Sequence, residues 1–469
     1  MTVAHELAAF VVRASDRDLS KTARLALKAR ILDSLGCAFG ALDAEPIALV
    51  RDQVASFGGH PHCTLIGGGK SAPDRAAFLN GALVRYLDFN DSYLARHETC
   101  HPSDNLAPVL AAAEYAGATG RTFLAALAVA YQVQCRLSDE APVRDRGFDH
   151  VTQGAVAVAA GVAKALGLDE ERTANAIALA ATGLNALRVT RTGALSNWKG
   201  LAYPHMAFTA THAAFLAARG ITGPPEVFEG NKGWMQTISG PFEIDWRHED
   251  LERVTRTAIK RYDAEIHAQS AIEAMLELRS THGFHGREIK RIEVDTFDVA
   301  FKIIGGGEEG DKTLVQTREQ ADHSLPYLLA VAALDGTVGP VQYEPQRITD
   351  SDVQELLRRV VVRPDASLSA RFPDECPCRL RVVLDDGRTL VCERADYLGY
   401  PSRPMSLEDV EAKFLFLTEG VLEPERQRRV IEAVANLEQL AALELAEALV
   451  PSPHFAFFAP EPLTEDVQP

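Results

Sequence analysis

From the N-terminus to about residue 280 the apolar positions recur at helical spacing, interrupted by glycine stops and short polar breaks. The segments "LAPVLAAAEYAGATGRTFLAALAVAYQVQCRL", "HVTQGAVAVAAGVAKALGL" and "EERTANAIALAATGL" each place Ala, Leu and Val on that period. So much alanine predicts helices packed at short separation, because small side chains let the axes approach.

After Gly286 the period changes. "REIKRIEVDTFDVAFKII" and "VVVRPD" are short β-branched runs, and "CRLRVVLDDGRTLVCERAD" is a hairpin pattern with Asp386-Gly387 at its turn. Between them "SLPYLLAVAALDG" predicts a buried helix, and from Ser406 the helical period returns. The pattern therefore predicts a mostly α chain with a smaller α+β lid: an all-helical domain over 1–280, a lid domain over 285–400, helices over 405–450 that rejoin the first domain, and an extended tail over 451–469.

Composition narrows the function classes. A chain of 469 residues exceeds one ordinary core, and 46% hydrophobic with 24% charged residues is the balance of a water-soluble globular protein. The formal charge of -17 argues against nucleic acid or an anionic membrane as partner, since both need a basic surface. Any anion site must gather its Lys, Arg and His locally. The start "MTVAHELAAFVVRASDRD" has no basic n-region and reads as a first helix, and no apolar run reaches membrane-spanning length, so a cytoplasmic protein is expected. The seven cysteines are scattered, which favours reduced thiols. Cys376 and Cys378 form C-P-C, not the C-x-x-C spacing of zinc ribbons or iron–sulfur ligation, and an iron–sulfur dehydratase is disfavoured.

Several motifs have bland readings. "TLIGGGKSAP" fails the phosphate-loop pattern because Thr64 stands where glycine is required, leaving a glycine-rich turn. "GHPHC" and "HETCH" lack the second half of a zinc site, so His60, His62 and His97 read as structural or exposed; "THGFHG" reads as a polar connection between domains. What remains is dispersed: Asp88 and His101 in "VRYLDFNDSYLARHETCHPSDNL", His150 in "GFDHVTQG", Lys199 in "LSNWKGLAYPH", and Lys260 with His267 in "IKRYDAEIHAQSAIEA". A lone histidine is usually a hydrogen-bonded structural residue or a cap. Several His and Lys at polar breaks beside apolar helices point instead to an acid/base site for an anion. In "HPSDNL", Ser103 or Asp104 could also cap the helix that begins near Leu106.

In order along the chain, "RYLDFND", "HPSDNL", "GFDHVT", "WKGLAYPHMAF", "PPEVFEGNKGW", "EIHAQSAIEA" and "ADHSLPYLLAVAALDG" resemble the MmgE/PrpD family. The resemblance covers nearly the whole length and is strongest to the branch containing 2-methylcitrate dehydratase. It implies a helical domain with an α+β lid, a homodimer, an active site in the cleft between domains, and metal-independent, cofactor-free lyase chemistry on small polycarboxylates. Carried over by motif, the catalytic positions fall on Asp88, His101, His150, Lys199 and His267. Asp91, Lys260 and Tyr327 match positions near the substrate. A decarboxylase branch acts on cis-aconitate; the longer stretch between "DFND" and "HPSD" and the segment "YDAEIHAQ" favour the dehydratase branch.

Dehydrating a 2-hydroxy tricarboxylate needs a base for the proton beside a carboxylate, cations for the charge that builds there, and an acid for the departing hydroxide. The expected assignment is His101 as base or proton shuttle, Asp88 as the group fixing its tautomer, Lys199 and Lys260 on substrate carboxylates, and His150 or His267 as acid. The rivals are a decarboxylase or an isomerase of the same family and, outside enzymology, a helical scaffold with inert loops.

Overall fold

A computed structural model describes residues 2–193 and 195–450; the expected tail, 451–469, lies outside the described residues. The chain opens with helices α1 (Val3–Arg13), α2 (Lys21–Gly40), α3 (Glu45–Phe57) and α4 (Pro73–Tyr86). It continues through α5 (Leu106–Tyr115), α6 (Gly120–Glu140), α7 (Val151–Ala165), α8 (Glu170–Gly183) and α9 (Trp198–Ala218). Thr2, Ser20, Thr119 and Asp169 start α1, α2, α6 and α8 with side-chain oxygens that accept from the first-turn amides. The helices pack α4 on α9 and α6 on α7, and α7 also on α9. Glycine sets the closest approaches: a Cβ at Gly154 of α7 would lie 2.4 Å from Cε2 of Tyr203 in α9, and one at Gly161 would lie 2.8 Å from Cγ2 of Val109.

Two minimal hairpins interrupt the helices. Strands β1 (Cys63–Thr64) and β2 (Lys70–Ser71) close the glycine-rich turn, where Gly67, Gly68 and Gly69 have φ of 92°, 125° and 84°. Strands β3 (Tyr93–Leu94) and β4 (Thr99–Cys100) clip together the polar loop before α5.

The lid begins with α10 (Gln269–His282), followed by β5 (Ile289–Thr296), α11 (Asp298–Ile304), α12 (Arg318–Asp322), α13 (Leu325–Asp335), α14 (Pro345–Thr349) and α15 (Ser351–Leu357). Then come β6 (Val360–Pro364), α16 (Ala366–Ser369), β7 (Cys378–Leu384) and β8 (Thr389–Arg394). The sheet order is β6-β5-β7-β8, parallel between β5 and β6 and antiparallel elsewhere, with Val294 opposite Val362 on one side and Leu380 on the other. Gly387 takes φ 89° at the β7–β8 turn.

Two sequence expectations need correction here. The 1–280 boundary put α10 in the helical domain, but α10 packs on β7, β8 and α13, and its Ile272, Met275 and Leu278 share a core with Ile292, Leu380 and Leu328. Periodicity shows that a helix buries a face without showing against what. The run "DVAFKII" is helix α11 rather than a continuation of β5, as the alternation stops at Thr296.

The C-terminal helices α17 (Leu407–Thr418), α18 (Pro424–Ala435) and α19 (Ala442–Ala448) return to the first domain. Val410, Phe414, Val430 and Leu445 join the core that contains Leu35, Leu83 and Val156.

Candidate active site

The polar loop after α4 supplies the centre of the site. Asp88 is a non-glycine residue at φ 56°, and this left-handed turn aims its carboxylate at three cations. Oδ1 accepts from the Arg85 guanidinium and, at 2.8 Å, from Nζ of Lys260; Oδ2 lies 3.1 Å from Nζ of Lys199. Lys260 also donates to the Asp88 carbonyl. An antiparallel bridge between Ser92 and Ala258 registers the two loops so that Asp88 and Lys260 meet. Lys413 of α17 braces both, donating to the carbonyls of Phe89 at 2.8 Å and Lys260 at 2.9 Å. Burial favours the neutral acid, but Arg85, Lys260 and Lys199 outweigh it and hold the Asp88 carboxyl well below the usual range.

Four imidazoles line the pocket around this centre, three of them expected from the sequence. Nδ1 of His101 lies 2.8 Å from the Asp91 carbonyl and 3.1 Å from Oγ of Ser92. A proton on Nδ1 satisfies the carbonyl and leaves Nε2 as the acceptor in the pocket that His101 lines. His150 stands edge-on to His101 at 5.3 Å and stacks on Tyr203 at 6.0 Å; its Nε2 lies 3.3 Å from a guanidinium nitrogen of Arg191, and its Nδ1 is buried without a hydrogen-bond partner. Burial, then the nearby Arg85, pushes His101 well below the ordinary imidazole value. Burial lowers His150 to about 3, although Asp149 opposes it. Both rings are therefore neutral near pH 7, the form that accepts a proton.

The third ring belongs to the lid. Nδ1 of His267 lies 2.6 Å from Oε1 of Glu265, whose other oxygen accepts the His267 amide, and Nε2 is buried with no partner. Glu265 stays ionised because His267, His323 and Lys260 together outweigh its burial. A carboxylate fixing one ring nitrogen and leaving the other open is the arrangement that orients a proton-transferring histidine.

Arginines complete the wall. Arg144, Arg188 and Arg191 join Arg85 and Lys260 around an inner cavity of about 50 Å³, with Glu98, Glu265 and Glu309 as counter-charges. Asp149 positions two of them, accepting from Nε of Arg191 at 3.1 Å and lying 3.6 Å from Arg188. A larger cleft of about 840 Å³ between the domains shares Glu98, Thr99, Arg144, Arg188 and Glu309 with the inner cavity, so these five form the neck between them.

The structure thus brings together Asp88, His101, His150, Lys199, Lys260 and His267. It places two expected residues elsewhere. Tyr327 is buried in the lid core and donates its hydroxyl to the Gln342 carbonyl. Asp91 lies behind the pocket, its carboxylate taken by the Ser103 amide at 3.0 Å and the Tyr131 hydroxyl at 2.9 Å; only its carbonyl serves, by holding His101. Nor does Asp88 fix the tautomer of His101, since that contact is the Asp91 carbonyl. Neither Ser103 nor Asp104 caps α5; both are held by Asn90, at 2.9 and 2.8 Å.

The lid contributes residues that sequence reasoning missed. Lys199 donates to Asp322 at 2.5 Å and approaches Nδ1 of His323 at 3.1 Å. Asp88, Asp322 and His323 lie close enough together to hold a metal ion. The Lys199 ammonium already engages all three side chains, so the protein supplies the positive charge that this trio attracts. A signal for the arginines was present: an acidic chain with an anion site must concentrate its cations, and "VRDRGFDH" and "LRVTRTG" cluster four of them beside His150 and before Lys199.

The sequence matches a known pair of domains. The MmgE/PrpD N-terminal domain model matches residues 5–247, and the MmgE/PrpD C-terminal domain model matches residues 262–439. The chain belongs to the MmgE/PrpD family. It is 29% identical over 452 residues to the 2-methylcitrate dehydratase of Cupriavidus necator, covering 89% of this chain and 90% of that one. It is 27% identical over 372 residues to the 2-methylcitrate dehydratase of Escherichia coli K12, covering 73% and 74%. It is also 26% identical over 453 residues to the cis-aconitate decarboxylase of Mus musculus, covering 91% and 88%. The MmgE/PrpD match spans both walls of the pocket.

Proposed function

We propose that this chain is a hydro-lyase that removes water from a small 2-hydroxy tricarboxylate, with 2-methylcitrate as the leading substrate and 2-methyl-cis-aconitate as its product, a step of propionate breakdown. One observation carries the reading: in a chain of net charge -17, neutral imidazoles face a buried pocket ringed by five cationic side chains. The cations suit a polyanion, and the neutral rings suit proton removal.

In this reading Nε2 of His101 takes the proton from the carbon beside a carboxylate, and Lys199, Lys260 and Arg85 hold the charge that accumulates on that carboxylate. The C–O bond then breaks, and His267, steadied by Glu265, gives a proton to the departing hydroxide, so one water leaves; His150, the other expected acid, is held neutral and has no proton to give. Solvent then takes the proton from His101 and restores the one that His267 gave, which returns both groups to their starting state. No step needs a cofactor. The same family resemblance supports a homodimer, which light scattering of the purified protein checks. Among the described residues no helix is long and apolar enough to cross a membrane.

The second reading is decarboxylation of cis-aconitate, raised by the mouse relative at similar identity. That reaction breaks a C–C bond and delivers a proton to carbon, so it leaves the neutral imidazole of His101, held as a proton acceptor, without a task.

The test is the ultraviolet absorbance of chelator-treated protein with 2-methylcitrate, citrate and cis-aconitate in turn, with products weighed by mass spectrometry. Loss of water with appearance of a conjugated acid from 2-methylcitrate is expected. Carbon dioxide from cis-aconitate alone would transfer the assignment to the second reading.

A further inference from the structure

We propose that Arg144 and Arg188 form a carboxylate-binding site at the neck of the pocket, and that Glu309 occupies it until a carboxylate of the ligand displaces it. The inference rests on the reading of the pocket as a polycarboxylate site. Arg144 comes from the turn Arg144–Arg146 and Arg188 from the turn Arg188–Arg191, both in the helical domain. They converge on one lid atom, Oε1 of Glu309, at 3.3 and 2.7 Å. The Glu309 side chain is 5% exposed, yet its second oxygen is buried with no partner. A carboxylate that satisfies two guanidinium groups with one oxygen and strands the other is poorly held, because a buried acceptor left unpaired has lost its water without gaining a partner. A ligand carboxylate that offers both oxygens to the same pair makes the two-pronged contact that arginine favours.

The chain around Glu309 is glycine-rich, so few side chains must be repacked if it shifts. It reads Gly305-Gly306-Gly307-Glu308-Glu309-Gly310, with Gly306 and Gly310 at φ 96° and 92°, where side chains are strained and a Cβ would meet nothing within 4 Å. Location supplies the reason for moving. Glu309 stands between the outer cleft and an inner cavity whose 50 Å³ holds about four waters at most, less than a tricarboxylate requires. The outgoing Glu309 frees both the space and the arginines. A ligand without a spare carboxylate gains nothing from opening this neck, so the device selects for di- and tricarboxylates.

A resident carboxylate reduces apparent affinity to the fraction of time that it leaves the site free. The probe is tricarballylate, a tricarboxylate with no hydroxyl to lose, titrated calorimetrically into the full chain. Glu309→Gln is expected to bind it roughly tenfold tighter than the unaltered protein. Arg144→Gln and Arg188→Gln are each expected to bind it about tenfold weaker or worse. Glu309→Asp, which keeps the charge but shortens the reach, should fall between, and it serves as the readout if the Gln variant shows no folded circular dichroism spectrum. Wild-type or weaker affinity in the Glu309 variants, unchanged affinity in the arginine variants, or no binding by any form would overturn the proposal. Tightening without turnover of 2-methylcitrate would leave the carboxylate site standing and remove the reaction; turnover without tightening would do the reverse.

Discussion

The two walls of the pocket are built differently. On the helical wall Asp88 spends both carboxylate oxygens on Arg85, Lys199 and Lys260, and His101 has Nδ1 tied to the Asp91 carbonyl. These groups sit beside helices whose separation is fixed by glycine against ring, as at Gly154 and Tyr203. On the lid wall, His267, Asp322 and Glu309 each keep one buried polar atom without a partner; the helical wall has such atoms too, Nδ1 of His150 and Nε of Arg85, but only on the lid does one belong to a residue, Glu309, that rides on a glycine loop. The difference teaches a division of labour: the helical wall holds charge in place before the ligand arrives, and the lid wall is completed by the ligand.

The sharpest way to break that division is to compare one residue from each wall. His101→Ala is expected to lower turnover of 2-methylcitrate by about 10²–10⁴-fold with little change in melting temperature. Glu265→Gln, which frees the lid histidine to turn, is expected to lower it by about 10–100-fold with the Michaelis constant nearly unchanged. Equal losses would mean that the lid shares the chemistry fully. Stability separates the walls as well. Asp88→Asn leaves three buried cations without their common anion and is expected to cost about 3–5 kcal/mol in denaturant melts. Asp322→Asn removes only one of the two carboxylates on Lys199, and about 1–3 kcal/mol is expected. A larger loss at Asp322 would show that closure of the lid, not the helical wall, stabilises the pocket.

Much of this was legible in the sequence because period reports local structure directly. The mostly α character, the small sheet and the turn at Asp386-Gly387 all follow from spacing and turn chemistry. Partners across the chain were not legible: Lys199 meets Asp322 over 123 residues, and nothing local marks either as the other's counterpart. Tyr327 shows why one motif can mislead. Ser324 caps α13, so Tyr327, in its first turn, is carried into the lid core, while Asp322 and His323 just before the cap remain at the pocket. The left-handed turn at Asp88 was invisible too, since nothing in "LDFND" requires φ above zero at its aspartate.

Gly154→Ala sharpens the claim that packing on the helical wall positions the chemistry. The added Cβ would press within 2.4 Å of the Tyr203 ring, which stacks on His150, and the Gly154 amide bonds the His150 carbonyl at 3.1 Å. Overpacking is expected to cost about 1–3 kcal/mol and to lower turnover as His150 shifts. Full turnover with a lowered melting temperature would show that His150 tolerates displacement.

The smallest effect is the dependence of stability on pH, and it tests whether His150 is held neutral. Its folded-state value of about 3 lies below the ordinary imidazole value of about 6.5. Above pH ~6.5 both folded and unfolded chains carry it neutral, so its contribution is fully present. As pH falls from there toward about 3 the unfolded chain takes up a proton that the folded chain refuses, and stability declines by at most about 1.4 kcal/mol per pH unit. Buried carboxyls oppose this slope, Asp104 and Asp263 among them. Burial raises Asp104 to about 7 and Asp263 to about 6, so the folded chain binds their protons first and gains stability as pH falls through the same window. The wild-type slope alone is therefore a difference of opposing terms. Subtracting the profile of His150→Gln removes the shared carboxyl contribution, and the remaining stability should drop between pH 6.5 and 5. A flat difference would mean that His150 titrates normally in the folded chain, and below pH ~6.5 the helical wall would then hold an imidazolium beside its arginines instead of a proton acceptor.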